Sequence, residues 1–254
     1  MSDLSHHHAL ITGGGSGIGL AIAKAFLAQG ARVTISGRSQ QRLDQAIEKL
    51  GAGLGIQGDV SEPEDIVRVV GRAHAASGPV TCLVNNAGIA ESRAFAEADE
   101  EHWDRTMAIN LTGAYRMTRA LLEDLLAAED GRIINIASTA GLRGFAFIAA
   151  YTASKHGLVG LTKSLAIEFA ETRLTVNAIC PGFTDTAMAE NAITNVMKLT
   201  GRERGDVTKR LLSNNPQGRL IDPAEVAAAA CWLAGRDASS VNGATIPISG
   251  GEIT

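Results

Sequence analysis

Three features of the 254-residue chain point to an α/β architecture: a doubly wound, mostly parallel seven-stranded sheet with helices on both faces. Short Val/Ile/Leu runs alternate with longer amphipathic stretches, the pattern of repeated β-α units. Glycine is frequent, at 28 residues against a usual ~7%, while aromatics are only 4%, which suits strands packed closely against helices. No Pro/Ser-rich linker or shift of composition divides the chain, so residues 1–254 read as one domain. Helical crossovers make neighbouring strands parallel, because a right-handed return covers the sheet face.

Residues 9–12 are a short apolar run that reads as a buried strand, and 17–29 as the helix after it. The second strand is 31–36, ended by Gly37, with a helix over 40–50 and a third strand over 54–59. Ser61, with Pro63 near the helix start and Glu64 three residues on, reads as a capping box for a helix running to about 77. Strand four is 80–85. One long helix is expected over 99–128, then strand five over 131–138 and a helix over 151–170. Strand six, 174–180, stops at Pro181-Gly182. Asp222-Pro223 opens a helix over 224–234, and 244–248 is the last strand. The polar segment 183–220, with Gly201 and Gly205 inside it, is expected to be an irregular lid over a site.

The balance of 23 basic and 27 acidic residues excludes a disordered acidic chain and gives no support to a nucleic-acid binder with a basic face. No apolar run approaches the roughly 18 residues that span a bilayer, and residues 1–10 lack the pattern of a signal peptide. Cys82, Cys180 and Cys231 lie far apart without CxxC spacing, which suits a reduced, cytoplasmic setting and core packing. His6-His7-His8 sits where the first strand begins. Adjacent strand residues point to opposite faces, so the run reads as part of the strand, and no metal site is expected.

The stretch Thr12-Gly13-Gly14-Gly15-Ser16-Gly17-Ile18-Gly19 falls between the first strand and the first helix. Gly13 allows a tight turn, Gly17 lets backbone approach a pyrophosphate, and Gly19 lets helix and strand pack closely. The helix N-terminus offers free N–H groups and a positive dipole end to an anion.

The TGxxxGxG spacing resembles the short-chain dehydrogenase/reductase family, a Rossmann-type fold, and the resemblance extends over about residues 8–251. Asn85-Asn86-Ala87-Gly88 matches the family's NNAG motif, and Asn110 stands at the position of its catalytic Asn. Ser138 ends strand five. Tyr151-Thr152-Ala153-Ser154-Lys155 matches YxxxK, thirteen residues beyond Ser138. Pro181-Gly182 matches the PG after strand six, preceded by Asn177. The resemblance implies Asn110, Ser138, Tyr151 and Lys155 as catalytic residues. For the dinucleotide it implies Gly13, Ser16, Gly17, Ile18 and Gly19, with Arg38, the adenine-side pair Asp59-Val60, Asn86, Ala87 and Gly88. Tyr151, Lys155, Pro181, Gly182 and Thr184 complete the set.

Tyr151 and Lys155 are four residues apart on a helix and share a face. A neighbouring ammonium lowers a phenol from its ordinary ~10 and makes it a usable acid or base near neutrality. By resemblance Lys155 also holds the nicotinamide ribose, Ser138 binds the substrate oxygen, and Asn110 holds a water linking Lys155 to solvent. Strand two ends on Gly37 and Arg38 with no carboxylate, so NADP(H) is favoured over NAD(H). Many NADP-using relatives carry a second basic residue where this chain has Ser16.

The loop 139–150 is largely apolar, with Leu142, Phe145, Phe147 and Ile148. Together with Ile89, Phe183 and Met188 it could wall a pocket for a hydrophobic carbonyl compound. Relatives that oxidise short hydroxy acids have polar residues where this chain has Ala90, Ala140 and Ile148, which argues against a small free acid. The stretches 136–141 and 154–157 resemble the 3-oxoacyl thioester reductases and polyketide ketoreductases. Glu129 and Thr172 stand where carrier-protein reductases place basic residues, so docking of an acidic carrier protein is not supported. The expected activity is interconversion of a ketone and a secondary alcohol with NADPH, on a 3-oxoacyl thioester or related carbonyl compound. An NAD-linked secondary alcohol or 3-hydroxyacyl-CoA dehydrogenase is the alternative enzyme, and a dinucleotide-sensing regulator the non-enzymatic one. The resemblance also implies a homotetramer.

Overall fold

The computed structural model describes residues 3–253. Seven strands, β1 (His8–Thr12), β2 (Arg32–Gly37), β3 (Leu54–Gln57), β4 (Cys82–Asn85), β5 (Arg132–Ile136), β6 (Thr175–Pro181) and β7 (Thr245–Ile248), form one parallel sheet in the order β3-β2-β1-β4-β5-β6-β7. The central strands β1, β4, β5 and β6 are buried at every position, which is why each reads as an unbroken run rather than an alternating one. Alternate side chains still serve opposite faces. Ala9 and Ile11 of β1 join Ile134 and Ile136 of β5 in one core, while Leu10 and Ile133 join the other.

The first core is closed by α1 (Gly17–Ala28), through Ile22, Ala23 and Phe26, and by α9 (Pro223–Ala234), through Val226, Ala230 and Leu233. The second is closed by α3 (Pro63–Ser77), α5 (Gly113–Ala127) and α6 (Ala149–Glu168), with Val69, Met117, Leu121 and Ala166 packed inward. α2 (Gln40–Leu50) lies beside β2 and β3, and α4 (Glu100–Met107) precedes α5.

Three expectations need correction. The helix over 99–128 is interrupted: a π-helical turn, Ala108–Thr112, separates α4 from α5. Such turns often mark functional sites, and this one carries Asn110. The capping box at Ser61 is absent. Its hydroxyl donates to Asp59 Oδ1 at 2.7 Å, and α3 starts from Glu62 with no side-chain cap. A complete capping box opens α9 instead, between Asp222 and Glu225. The segment 183–220 is not irregular but folds into α7 (Ala187–Thr200) and α8 (Arg204–Leu211). Gly201 adopts φ 67 at the end of α7, so one of the glycines that suggested a loop is a helix terminator.

His7 and His8 are fully buried and build the amino end of β1. His7 bonds Thr81 Oγ1 and the Ala234 carbonyl, and His8 bonds the Gly78 carbonyl and Thr34 Oγ1. Among the described residues no helix is long and apolar enough to cross a membrane, and no cluster of three or more His, Cys, Asp or Glu could hold a metal ion.

Candidate active site

The strand order reverses between β1 and its neighbours β2 and β4, so the turns at their carboxyl ends splay apart and leave a crevice. The glycine loop forms its floor. Gly13 adopts φ 66, and a Cβ at Gly19 would lie 2.5 Å from Asn86 Nδ2 and 2.6 Å from the Gly13 carbonyl oxygen. Asn86 fastens that loop: its Nδ2 donates to the carbonyls of Thr12 and Gly13 at 2.9 and 3.2 Å. Thr12 Oγ1 in return accepts the N–H groups of Asn86 and Ala87, both at 3.0 Å. Ser16, the N-cap of α1, spends no side-chain bond on the first turn. The N–H groups there remain available to an anion.

Gly13, Ser16, Gly17, Ile18, Arg38, Asp59, Val60, Asn86, Ala87, Gly88, Tyr151 and Lys155 all line this cleft. Gly19 does not; it is buried behind the loop. Pro181, Gly182 and Thr184 line a second, adjoining recess of 170 Å³ instead. One basic residue of the cleft escaped the sequence reading: Arg42, four positions after Arg38 in the first turn of α2. Its place in the first turn of a helix that opens right after Arg38 was a usable signal once α2 was placed.

Lys155 is 4% exposed and donates from Nζ to the Ile136 carbonyl at 2.8 Å. An ammonium carries three donors, so this bond fixes its place and leaves others for the cleft. Its Nζ stands 5.7 Å from the Tyr151 ring centroid. Burial pulls Lys155 down to about 8. Burial also raises Tyr151, and the hydroxyl of Ser138 opposes that rise. The expectation of a lowered phenol is therefore corrected: desolvation dominates, and the counteracting contact comes from Ser138. Ser138 Oγ accepts the Ala140 N–H at 3.1 Å, which leaves its own O–H to donate.

Asn110 is held by protein groups rather than standing free. Its Oδ1 accepts from the Ile89 N–H at 2.9 Å, and its Nδ2 donates to the Ile89 carbonyl at 2.9 Å and to Ser154 Oγ at 3.0 Å. The π-helical turn thus stitches the loop after β4 to α6, one residue from Lys155. A buried ladder nearby fixes α5 and α6 to the sheet: Asn85 donates to Thr118 Oγ1 and Asn135 Oδ1, and Asn135 to Thr162 Oγ1.

A family model for short chain dehydrogenases matches residues 7–196. The chain belongs to the short-chain dehydrogenase/reductase family. A protein of Streptomyces violaceoruber, named by inference as ketoacyl reductase 1 of the granaticin polyketide synthase, is 41% identical over 96% of this chain and 92% of its own. The D-beta-hydroxybutyrate dehydrogenase of Cupriavidus necator is 40% identical over 96% of both chains. In three dimensions, a variant of actinorhodin polyketide ketoreductase solved with NADPH matches at a TM-score of 0.93 and 37% identity, over 99% of each chain.

The second recess of this dehydrogenase is mostly apolar. Phe145, Ile148, Phe183 and Met188 line it as expected, joined by Ala189, Ala192 and Ser92. Three expected wall residues are placed otherwise. Leu142 packs into the core beneath the loop, Ile89 faces the cleft, and Phe147 is 67% exposed with φ 66. Apolarity alone did not tell an inward side chain from an outward one in a loop without period. Among the described residues, no Lys, Arg or His lines this recess.

Proposed function

We propose that this short-chain dehydrogenase reduces a hydrophobic ketone to a secondary alcohol with NADPH, a 3-oxoacyl thioester being the favoured substrate class. One observation carries the reading: Tyr151 lies on the wall shared by the glycine-floored cleft and the apolar recess. A proton donor there reaches a carbonyl in one compartment while the other holds a dinucleotide. The cleft fits that group, because the α1 N-terminus is uncapped by Ser16 and the loop excludes side chains at Gly13 and Gly19. When bound, NADPH supplies hydride.

The chain's own groups supply the rest. Tyr151 gives its phenolic proton to the carbonyl oxygen, Ser138 donates a hydrogen bond to that oxygen, and Lys155 stabilises the phenolate left behind. Arg38 and Arg42, with no carboxylate among the cleft residues at the end of β2, suit a 2′-phosphate. The solved ketoreductase with NADPH supports the same choice. A recess without cationic side chains supports a neutral ketone or ester over a free hydroxy acid, despite the similarity to a hydroxybutyrate dehydrogenase.

The test is a panel of ketones, secondary alcohols, hydroxy acids and 3-oxoacyl thioesters with each cofactor. Highest kcat/KM for a 3-oxoacyl thioester with NADPH is expected. A large preference for NAD with a hydroxy acid or alcohol would transfer the chain to the catabolic reading, and no turnover at all would favour the regulator. We also propose that α7 and α8 close over the recess, and that the chain assembles as a homotetramer through the exposed Trp103, Tyr115 and Trp232. Sedimentation at four times the chain mass checks the assembly.

A further inference from the structure

The chain leaving β7 turns back on itself at Ser249-Gly250-Gly251-Glu252. The Glu252 N–H donates to the Ser249 carbonyl at 3.2 Å, and the two glycines take φ 63 and φ 90, the pair of positive values that a type I′ turn requires. The turn is wedged between two neighbours. On one side is the segment after α8: the Gln217 N–H donates to the Gly250 carbonyl at 3.3 Å, and a Cβ at Gly250 would stand 2.3 Å from Asn215 Oδ1. On the other is Gly182, just after β6, whose N–H donates to the Ile248 carbonyl at 3.0 Å. A Cβ at Gly182 would stand 3.0 Å from Glu252 Oε2. The missing side chain thus leaves room for a carboxylate behind the wall of the apolar recess, which Gly182 lines and Glu252 does not.

Glu252 is half-buried. Burial raises its carboxyl, and the Arg143 guanidinium and the Thr139 hydroxyl oppose that rise. Both belong to one short turn, residues 138–143, which begins with Ser138. The Thr139 carbonyl accepts the N–H groups of Leu142 and Arg143 at 3.0 and 3.1 Å, and Thr139 is 4% exposed and lines the recess beside Ser138. Arg143 Cζ stands 4.9 Å from the centroid of the Phe145 ring, another wall residue. A carboxylate held part-way out of water costs free energy unless it is bonded, and here the opposing contacts come from the turn that carries Ser138.

We propose that Glu252 is a positioning residue: by holding Thr139 and Arg143 from behind, its carboxylate fixes the turn 138–143, and with it the Ser138 hydroxyl, against the carbonyl oxygen of the substrate. The inference rests on the reductase reading, since Ser138 is the group it serves. It is tested by kinetics on the carbonyl compound that the wild type reduces best with NADPH. Glu252→Ala is expected to lower kcat roughly ten-fold, equivalent to about 1.4 kcal/mol, with the Kd of NADPH unchanged in a fluorescence titration. Glu252→Gln keeps an acceptor for Thr139 and should recover most of that loss. In a Ser138→Ala background, Glu252→Ala should cost no more than about two-fold, because a group that acts through Ser138 has nothing left to aim. A merely structural role gives the same loss in both backgrounds and a matching fall in Tm. Should Glu252→Ala not fold, Thr139→Val carries the same comparison of backgrounds. Equal losses in the two backgrounds, or an unchanged kcat in Glu252→Ala beside an active wild type, overturn this inference alone. A wild type that reduces nothing on the panel overturns the reductase reading and this inference with it.

Discussion

At the scale of single residues the proposed chemistry rests on a phenol and an ammonium that burial pushes in opposite directions. Tyr151 is raised by desolvation and Lys155 lowered to about 8, so near neutrality the phenol is protonated and the amine largely charged. That combination suits reduction. As pH climbs through 8, Lys155 loses its charge first and the phenolate loses its support. The reductive kcat/KM should therefore hold below pH 8 and fall above it, in a pH–rate profile taken with saturating NADPH. A profile flat to pH 10 contradicts this assignment. Tyr151→Phe should cut turnover by roughly a thousand-fold or more, since general acid catalysis contributes about 10²–10⁴, and leave cofactor affinity unchanged in a fluorescence titration. That the two residues meet in one cleft was legible in the sequence, because i, i+4 spacing on a helix puts them on one face whatever surrounds them. The direction expected for the phenol, downward beside an ammonium, is overturned, because desolvation depends on groups from other strands and loops.

At the scale of elements, the proposal gives α2 and α7–α8 the choice of what the site accepts. Arg38 and Arg42 flank the amino end of α2, where the helix dipole adds to their charge. The double variant Arg38→Ala/Arg42→Ala should lower the ratio of kcat/KM for NADPH over NADH by roughly 100-fold, on the basis of about 1.5–3 kcal/mol per charge-assisted bond. Steady-state kinetics with both cofactors reads it directly. α7 and α8 contribute few buried side chains, Ala189, Ile193 and Val207 among them. A surface ion pair between Arg204 and Glu190 joins the two helices, and such pairs add little. Their amides should exchange with solvent faster than those of α6, and slow when cofactor and substrate are both bound, by hydrogen-exchange mass spectrometry. The two helices were missed in the sequence because their polar faces, with Gly201 between them and Gly205 inside α8, match a loop in composition. The π-helical turn was missed for another reason: it is defined by which main-chain groups pair over Ala108–Thr112, and a run of residue types does not state that pairing.

For the whole molecule, the buried histidines tie stability to pH. Burial pushes His7 down to about 4, and lowers His8 as well. The unfolded chain takes up those protons near 6.5, so between 6.5 and 4 it binds more protons than the folded one. Stability is complete above pH 6.5 and falls as pH falls towards 4, by roughly 3 kcal/mol for His7 alone. Denaturant melts at pH 7 and pH 4.5 should show that loss, and equal midpoints would contradict it. The β-α alternation, the glycine loop, the paired Tyr151 and Lys155 and the missing carboxylate after β2 were legible by themselves, because each is local: a period, a spacing, or a residue at the end of one element. The division of cleft from recess, the bonding of Asn110, the second arginine of the cleft and the place of Glu252 behind Gly182 were decided only by the tertiary structure. Each depends on which distant segments the sheet order brings within a few ångströms, and a linear pattern does not carry that distance.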